Sequence, residues 1–241
     1  MSINNKKEVI WKPTKYTFEK NVLEPSTQVS IKSKRMASYI SQFYSISIPK
    51  YVKGKLLDLG CGHAPLFELY SKYATEITKA DWKNSIHNQE NIDVFCDLNE
   101  ALIFGSNSFD TVILSDVLNH LYEPEIALKE IYRILKPGGI LLLNAPFLYT
   151  LNEEPFDFGR YSIHKYRFWA QKINFRIIQI EQFGGINDVF EHFGLRILSL
   201  IPFGSFICKL FYSIRTFFVK HKILNINGTN CPYGYGVIMT K

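Results

Sequence analysis

A short loop with two glycines follows the first strongly apolar run of the chain. The residues from Asp58 to Gly62 lead into Pro65, a residue that suits the first turn of a helix. Because Gly60 and Gly62 carry no Cβ, a ligand can approach their main chain closely, and the start of the helix offers unpaired N–H groups to an anion. A dinucleotide fingerprint requires Gly or Ala where Pro65 stands, so NAD fits this loop poorly.

A parallel sheet is needed to position this loop. Apolar runs typical of strands alternate with segments of helical periodicity, and this rhythm predicts a sheet that is covered on both faces. Strands are predicted at 55–60, 76–80, 92–96, 109–114, 140–143 and 175–182, and helices at 31–48, 65–73, 124–135 and 162–172. The breaker Lys136-Pro137-Gly138-Gly139 is predicted to end the third helix. Residues 1–30 are predicted to be an irregular arm.

Acidic residues stand at the ends of the predicted strands. Asp81 lies 19 residues after Gly62, where a carboxylate can accept both hydroxyls of a ribose. Asp97-Leu98 follows the third strand and Ser115-Asp116 follows the fourth. Ligands of open α/β sheets bind at the carboxyl ends of the strands, so these side chains are predicted to share one site with the glycine loop.

The order of these motifs resembles the class I S-adenosylmethionine (SAM) methyltransferases, in particular the methyltransferase-11-like group. The first motif reads D-x-G-x-G-x-A, with Ala64 where the family usually has Gly, and the resemblance covers about residues 54–145. It implies a Rossmann-like α/β fold with a seven-stranded, mostly parallel sheet, helices on both faces, an N-terminal arm and a helical insertion before the last strand. It also implies SAM as the cofactor, bound by Asp58, Gly60, Cys61, Gly62, Asp81, Trp82, Asp97, Leu98, Ser115 and Asp116.

One methyltransferase domain is therefore expected to occupy the whole chain. Its parts are predicted as an N-terminal arm and helix at 1–50, a SAM-binding core at 51–185, an apolar and basic helical insertion at 186–222, and the last strand at 223–241.

The acceptor side is predicted on the loops that follow the fourth and fifth strands. The loop after the fifth strand is rich in carboxylates and aromatic residues. Carboxylates accept hydrogen bonds from hydroxyls and aromatic rings pack on sugar rings, so a loop of this composition suits a sugar. The candidate catalytic residues are His120, Glu154, Asp157, Arg160 and His164. Other roles stay open: His120 as a helix-start or core residue, His164 as a surface residue, and Asp157 with Arg160 as a pair that fixes the loop.

The run from Pro146 to Tyr161 resembles a subset of these methyltransferases with the pattern P-F-x-Y … H-E-x-P-x-D-F-x-R-Y. Members of that subset accompany surface-glycan synthesis, and here Asn152 or Glu153 stands near the usual His. The resemblance implies SAM-dependent methylation of a hydroxyl on a sugar or glycan-like acceptor. The alternatives are another small-molecule or lipid-linked acceptor, and a SAM-binding protein without catalysis.

The charge of the chain is concentrated near its end. Its 241 residues carry a net charge of +6, and no Asp or Glu follows Glu191. Residues 1–191 are neutral, which argues against a nucleic-acid partner. The four cysteines form no CxxC pair and no zinc spacing, so no metal is expected. The first residues contain no apolar leader, and a cytoplasmic protein is predicted.

The segment 195–222 combines apolar bulk with five basic residues. Its longest uncharged run, 197–208, is too short to span a bilayer and contains Pro202 and Gly204. Two short helices are therefore predicted, broken at Pro202-Phe203-Gly204. They resemble an element that lies on the inner face of a membrane, and a lid or a homodimer contact is an equal alternative.

Overall fold

The fold is organised around one seven-stranded β-sheet. The computed structural model describes residues 15–19, 22–85, 87, 92–220 and 230–241; parts of the predicted arm (1–14, 20–21) and insertion (221–222), and of the last segment (223–229), lie outside them. The sheet strands are β3 (Lys55–Leu59), β4 (Glu76–Asp81), β5 (Val94–Phe95), β6 (Phe109–Ser115), β7 (Leu135–Pro146), β8 (Arg176–Phe183) and β9 (Gly234–Thr240). The helices are α1 (Ile31–Tyr51), α2 (Phe67–Tyr70), α3 (Pro124–Ile134), α4 (Ile163–Ile173), α5 (Ile186–Leu198) and α6 (Gly204–Lys220).

The strand order confirms the predicted fold class. Across the sheet the order is β5-β4-β3-β6-β7-β9-β8. The first five strands pair in parallel, and β9 runs antiparallel between β7 and β8. The carboxyl ends of β3, β4, β6 and β7 therefore meet at one edge, and the loops that follow them meet there too.

Alternate residues of the central strands face two separate cores. Leu57 packs with helices α3 and α4 on one side, and its neighbour Leu56 packs with α1 and α2 on the other. Both faces are apolar because side chains alternate along a strand and helices cover each side. The predicted helices on both faces are thus present.

The N-terminal arm differs from the prediction. Instead of an irregular segment, β1 (Tyr16–Glu19) and β2 (Val22–Pro25) pair as an antiparallel hairpin. Tyr16 and Leu23 bury their side chains in the core around α1. The hairpin is therefore packed onto the domain, and it carries Lys15 to the carboxyl edge of the sheet.

Two boundaries also differ from the predicted ones. The helix expected at 65–73 is reduced to the single turn of α2. The expected break at 136–139 is part of β7, which already pairs at Leu135 with Phe109. A register shift between Phe109 and Thr111 absorbs the extra residues, and Gly138 at φ +74° provides the bend.

The insertion forms a helical hairpin, α5 followed by α6. The chain breaks between them at 199–203, which includes Pro202. Among the described residues, no helix combines the length and the apolar character that a membrane crossing requires.

Candidate active site

A cavity of about 620 Å³ opens at the carboxyl edge of the sheet. Its wall combines the loops after β3, β4, β6 and β7 with the start of α1 and with Lys15. Of the residues predicted to bind the cofactor, it contains Gly60, Cys61, Gly62, Asp81, Trp82, Asp97, Leu98, Ser115 and Asp116.

Asp58 lies beneath this wall. Its carboxylate is buried and accepts a hydrogen bond from the Tyr70 hydroxyl at 2.8 Å. Burial raises the pKa of Asp58 to about 7. In this position the side chain supports the turn at the end of β3 from below.

The glycine loop is fixed by the end of β4. The amides of Gly60 and Cys61 both donate to the carbonyl of Ala80, at 2.8 and 3.1 Å. Gly60 has φ +72°, and a Cβ there would overlap the side chain of Val117. The loop can keep this path only with glycine, and it leaves open main chain on the cavity wall.

Asp81 connects the glycine loop to the next strand. Its Oδ2 accepts a hydrogen bond from the amide of Gly62 at 2.5 Å, and its Oδ1 accepts one from the amide of Trp82 at 2.6 Å. Burial raises the pKa of Asp81, while these two amides oppose that rise. Each oxygen of an ionised carboxylate has a second lone pair, so both remain able to accept a hydroxyl from the cavity.

These groups fit SAM. A carboxylate can accept the ribose hydroxyls, the open main chain at Gly60 can admit the amino-acid end, and Leu98 with Asp97 gives an apolar surface beside a carboxylate for adenine. The individual contacts remain predictions.

A polar network holds Asp116 at the cavity wall. Asn144 donates to Asp116 Oδ1 at 2.6 Å, and Asn144 Oδ1 accepts from Tyr44 and Ser115, each at 2.9 Å. Lys15 pairs with Asp116 Oδ2 at 2.8 Å. Lys15 was missed in the sequence because the hairpin brings it across about a hundred residues of chain.

His120 lines the cavity with its ring orientation fixed. Its Nδ1 lies 2.6 Å from the carbonyl oxygen of Phe156, and its Nε2 lies 3.2 Å from the Asn119 amide nitrogen. A carbonyl can only accept, so Nδ1 carries the proton and Nε2 holds a lone pair. This tautomer is the one a general base at Nε2 requires.

Glu153, rather than Glu154, faces the cavity. The Glu153 carboxylate lies 3.4 Å from His87 Nε2 and 3.9 Å from His120 Nε2. Its hydrogen bond with His87 lowers the pKa of Glu153 and raises the pKa of His87. Glu154 is exposed and absent from the cavity wall. His87 was not a candidate, since no motif surrounds it.

Asp157 and Arg160 bind each other behind the cavity wall. The guanidinium of Arg160 spans both oxygens of Asp157, at 2.5 and 2.6 Å. Asp157 also accepts from the Asn119 side chain at 3.1 Å and from the Asn152 amide at 2.8 Å. Both residues therefore hold the loop and Asn119, and with it His120, in place. His164, the remaining candidate, is exposed on α4 and does not line the cavity.

Replacing Asp157 by Asn is expected to lower the free energy of unfolding by roughly 1–2 kcal/mol at neutral pH. Burial alone would raise the pKa of Asp157, but hydrogen bonds from Arg160 and Asn119 outweigh it and lower this pKa from 3.8 to about 2. A depressed folded pKa stabilises the protein above the unfolded value, and this contribution is lost as the pH falls from about 4 to about 2. Urea unfolding at several pH values measures the effect.

Glu154→Gln is the matched control, because it changes an exposed carboxyl of the same loop. It should leave the unfolding curves unchanged. Equal stability of Asp157→Asn and the wild type at neutral pH would contradict the assigned role of the pair.

Aromatic side chains form the mouth of the cavity. Trp82 and Phe156 meet edge to face with ring centroids 5.2 Å apart, and Tyr122 meets Phe158 at 6.0 Å. All four rings line the cavity, as does Tyr149. A ligand at this mouth is therefore met by apolar ring surfaces.

Comparisons with known proteins agree with this site. Residues 57–143 match the family described as "Methyltransferase domain". A ubiquinone biosynthesis O-methyltransferase of Parvibaculum lavamentivorans is 31% identical over 107 residues, which are 41% of this chain and 40% of that protein. The chain thus spans only about two fifths of that relative's length.

Solved structures share the fold over a longer span. A SAM-dependent methyltransferase from Archaeoglobus fulgidus superposes with a TM-score of 0.57 at 18% identity, covering 87% of this chain and 97% of that one. A putative sarcosine dimethylglycine methyltransferase from Galdieria sulphuraria gives 0.56 at 15% identity, with 96% and 92% covered. The segment 57–143, which matches a methyltransferase domain, forms most of the wall of the cavity, and SAM is the cofactor of this domain.

Proposed function

We propose that this protein is an O-methyltransferase whose acceptor is a hydroxyl of a sugar or glycan-like molecule. The observation that carries the proposal is His120, an imidazole that lines the same cavity as the glycine loop and Asp81 and whose Nδ1 is held by the Phe156 carbonyl. An alcohol gains reactivity when a base removes its proton, whereas an amine or a thiolate has less need of one.

The chain supplies alignment and a place for the proton. When bound, SAM provides an electrophilic methyl group. His120 Nε2 takes the proton of the acceptor hydroxyl, and the carbonyl of Phe156 at Nδ1 holds the ring in position. The Glu153 carboxylate, 3.9 Å from Nε2, stabilises the imidazolium that forms. Fixed rings and hydrogen bonds around the mouth orient the acceptor. This orientation is expected to supply most of the rate enhancement.

Polar groups beside aromatic rings support a sugar. Asn152 lies in the cavity wall with Glu153 and the rings of Trp82 and Phe156. The carboxylate and amide can hydrogen-bond to hydroxyls while the rings pack on the apolar face of a sugar. Compared with the sequence-based argument, Glu153 takes the place of Glu154, and Asp157 and Arg160 are engaged with each other.

An aromatic hydroxyl is the second candidate. The mouth contains Trp82, Tyr122, Tyr149, Phe156 and Phe158, which can also stack on a phenol. The Parvibaculum relative is named for O-methylation in ubiquinone biosynthesis, which supports the same type of acceptor atom.

Transfer of a labelled methyl group from SAM tests the proposal. The acceptor panel contains sugar glycosides, nucleotide sugars, phenols and amines, and mass spectrometry locates the methyl group on the product. We expect a methyl ether on a sugar hydroxyl. Transfer to phenols alone would select the second candidate. SAM binding without transfer to any member, or transfer to amines, would overturn O-methylation.

A further inference from the structure

Helix α5 buries both of its carboxylates while it leaves large apolar side chains exposed. Asp188 and Glu191 are 4% and 2% exposed, whereas Phe190 and Ile197 are 69% and 66% exposed. A surface helix normally turns its apolar stripe inward and its charges outward. This departure indicates that the exposed apolar side chains have a partner of their own.

An internal ion cluster holds the hairpin in this orientation. Arg215 of α6 lies 3.0 Å from Asp188 and also pairs with Glu191. Arg35 of α1 lies 3.3 Å from Glu191 and 3.8 Å from Asp188. The two cations and two anions balance in charge, and their ion pairs hold the inner face of the hairpin against α1. The outward position of the apolar side chains therefore follows from the native packing.

The outer apolar surface continues through the turn into α6. Leu200 and Phe203 at the turn are 84% and 85% exposed, and Phe206, Leu210 and Ile214 are exposed at helical spacing along α6. Folded proteins rarely expose a contiguous apolar patch of this kind unless it contacts a partner or a membrane. We call these residues, together with Phe190 and Ile197, the outer stripe.

The charges around the exposed apolar side chains favour an anionic bilayer over a second copy of this chain. Both carboxylates of residues 186–220 are buried in the ion cluster, and none follows in the sequence. Arg196 and the exposed Lys209 remain outside the cluster. Two copies of the hairpin would place like charges together without a carboxylate to pair them, which opposes a dimer. Anionic headgroups supply the missing negative charge.

We propose that the outer stripe is an interfacial anchor that binds the surface of an anionic lipid bilayer. The two helices lie along the interface, with the side chains of the turn and the outer stripe among the headgroups and Lys209 at the phosphates. The proposal concerns a second surface and does not depend on the identity of the methyl acceptor.

Flotation of the full chain with vesicles tests this anchor. The vesicles contain either phosphatidylcholine alone or phosphatidylcholine mixed with phosphatidylglycerol. We expect binding to the anionic vesicles at low salt, weaker binding as salt is raised, and little binding to phosphatidylcholine alone. The double variant Phe203→Ser/Phe206→Ser should reduce the bound fraction by roughly tenfold or more, and Lys209→Glu should weaken it further in the anionic series only.

Ile103→Ser is the matched control, because Ile103 is an exposed apolar residue in the loop before β6. It should bind vesicles as the wild type does. Thermal unfolding and SAM calorimetry on each variant separate a loss of anchoring from a loss of folding or of cofactor binding. Absence of binding to anionic vesicles at low salt would overturn the proposal. So would a dimer in sedimentation that the double variant dissociates while vesicle binding stays unchanged.

Discussion

The Asp81→Ala variant is expected to bind SAM more weakly by about 1.5–3 kcal/mol, which is roughly ten- to a hundredfold in Kd. Asp81 is buried at the cavity wall, where its carboxylate accepts from the Gly62 amide and where we expect it to bind the ribose hydroxyls. Loss of the carboxylate removes a charge-assisted hydrogen bond to the cofactor. Isothermal calorimetry with SAM and with S-adenosylhomocysteine measures the change.

Two further variants separate this contact from a general disturbance of β4. Glu76→Gln changes an exposed carboxylate at the opposite end of the same strand, where it pairs with Lys55 at 2.6 Å. Its SAM affinity should equal that of the wild type. Asp81→Asn keeps one oxygen for the glycine loop and should lose affinity with little change in Tm. Unchanged affinity in Asp81→Ala would show that the ribose is bound elsewhere.

Replacing His120 by Ala should lower turnover by roughly 10²–10⁴-fold, the usual contribution of a positioned general base. The affinity for SAM should stay close to that of the wild type, since His120 lies beyond the glycine loop and Asp81. The expected loss of turnover follows from the tautomer, because Nδ1 donates to the Phe156 carbonyl and Nε2, which accepts from the Asn119 amide at 3.2 Å, is the nitrogen that can exchange this contact for the acceptor proton. Single-turnover kinetics with saturating SAM, combined with calorimetry, distinguish the two effects.

His164→Ala is the matched control for this variant. His164 is an exposed histidine on α4 outside the cavity, so its removal should not change turnover. If His120→Ala retained full activity, His120 would be a structural residue that holds Phe156, and the base would have to be sought elsewhere on the cavity wall.

Most of the fold and the cofactor half of the site are predictable from the sequence. The apolar runs of β3, β6 and β7 are buried in the sheet, and their regular alternation with helices predicts a mostly parallel sheet. The glycine loop and Asp81 each follow a strand directly, so their position at the carboxyl edge comes from topology alone. Asp58, which was predicted to bind SAM, instead faces Tyr70 of α2, because side chains alternate along β3 and Asp58 lies on the same face as Leu56.

The acceptor half is less predictable because its residues depend on loop conformation. Glu153 has φ +54°, a backbone conformation that the neighbouring residue types do not predict. Because of this turn, Glu153 faces the cavity and Glu154 does not. Lys15 and His87 reach the site through a hairpin and a loop without any recognisable motif. The Asp157 and Arg160 pair was an open alternative, and their mutual contacts explain why neither lines the cavity.

The ion cluster beneath the outer stripe separates two parts of the hairpin. The charged inner face attaches it to α1, and the apolar outer stripe can be substituted without changing that attachment. All four charged side chains that fix it to α1 point inward, so exchanges at Phe203 or Phe206 leave the attachment intact. Deletion of 195–222 has the opposite result, because it removes Arg215 and leaves Asp188 and Glu191 with Arg35 alone, an excess of buried negative charge. Substitutions on the outer stripe can therefore change what the hairpin binds, while the cavity at the carboxyl edge of the sheet stays the same.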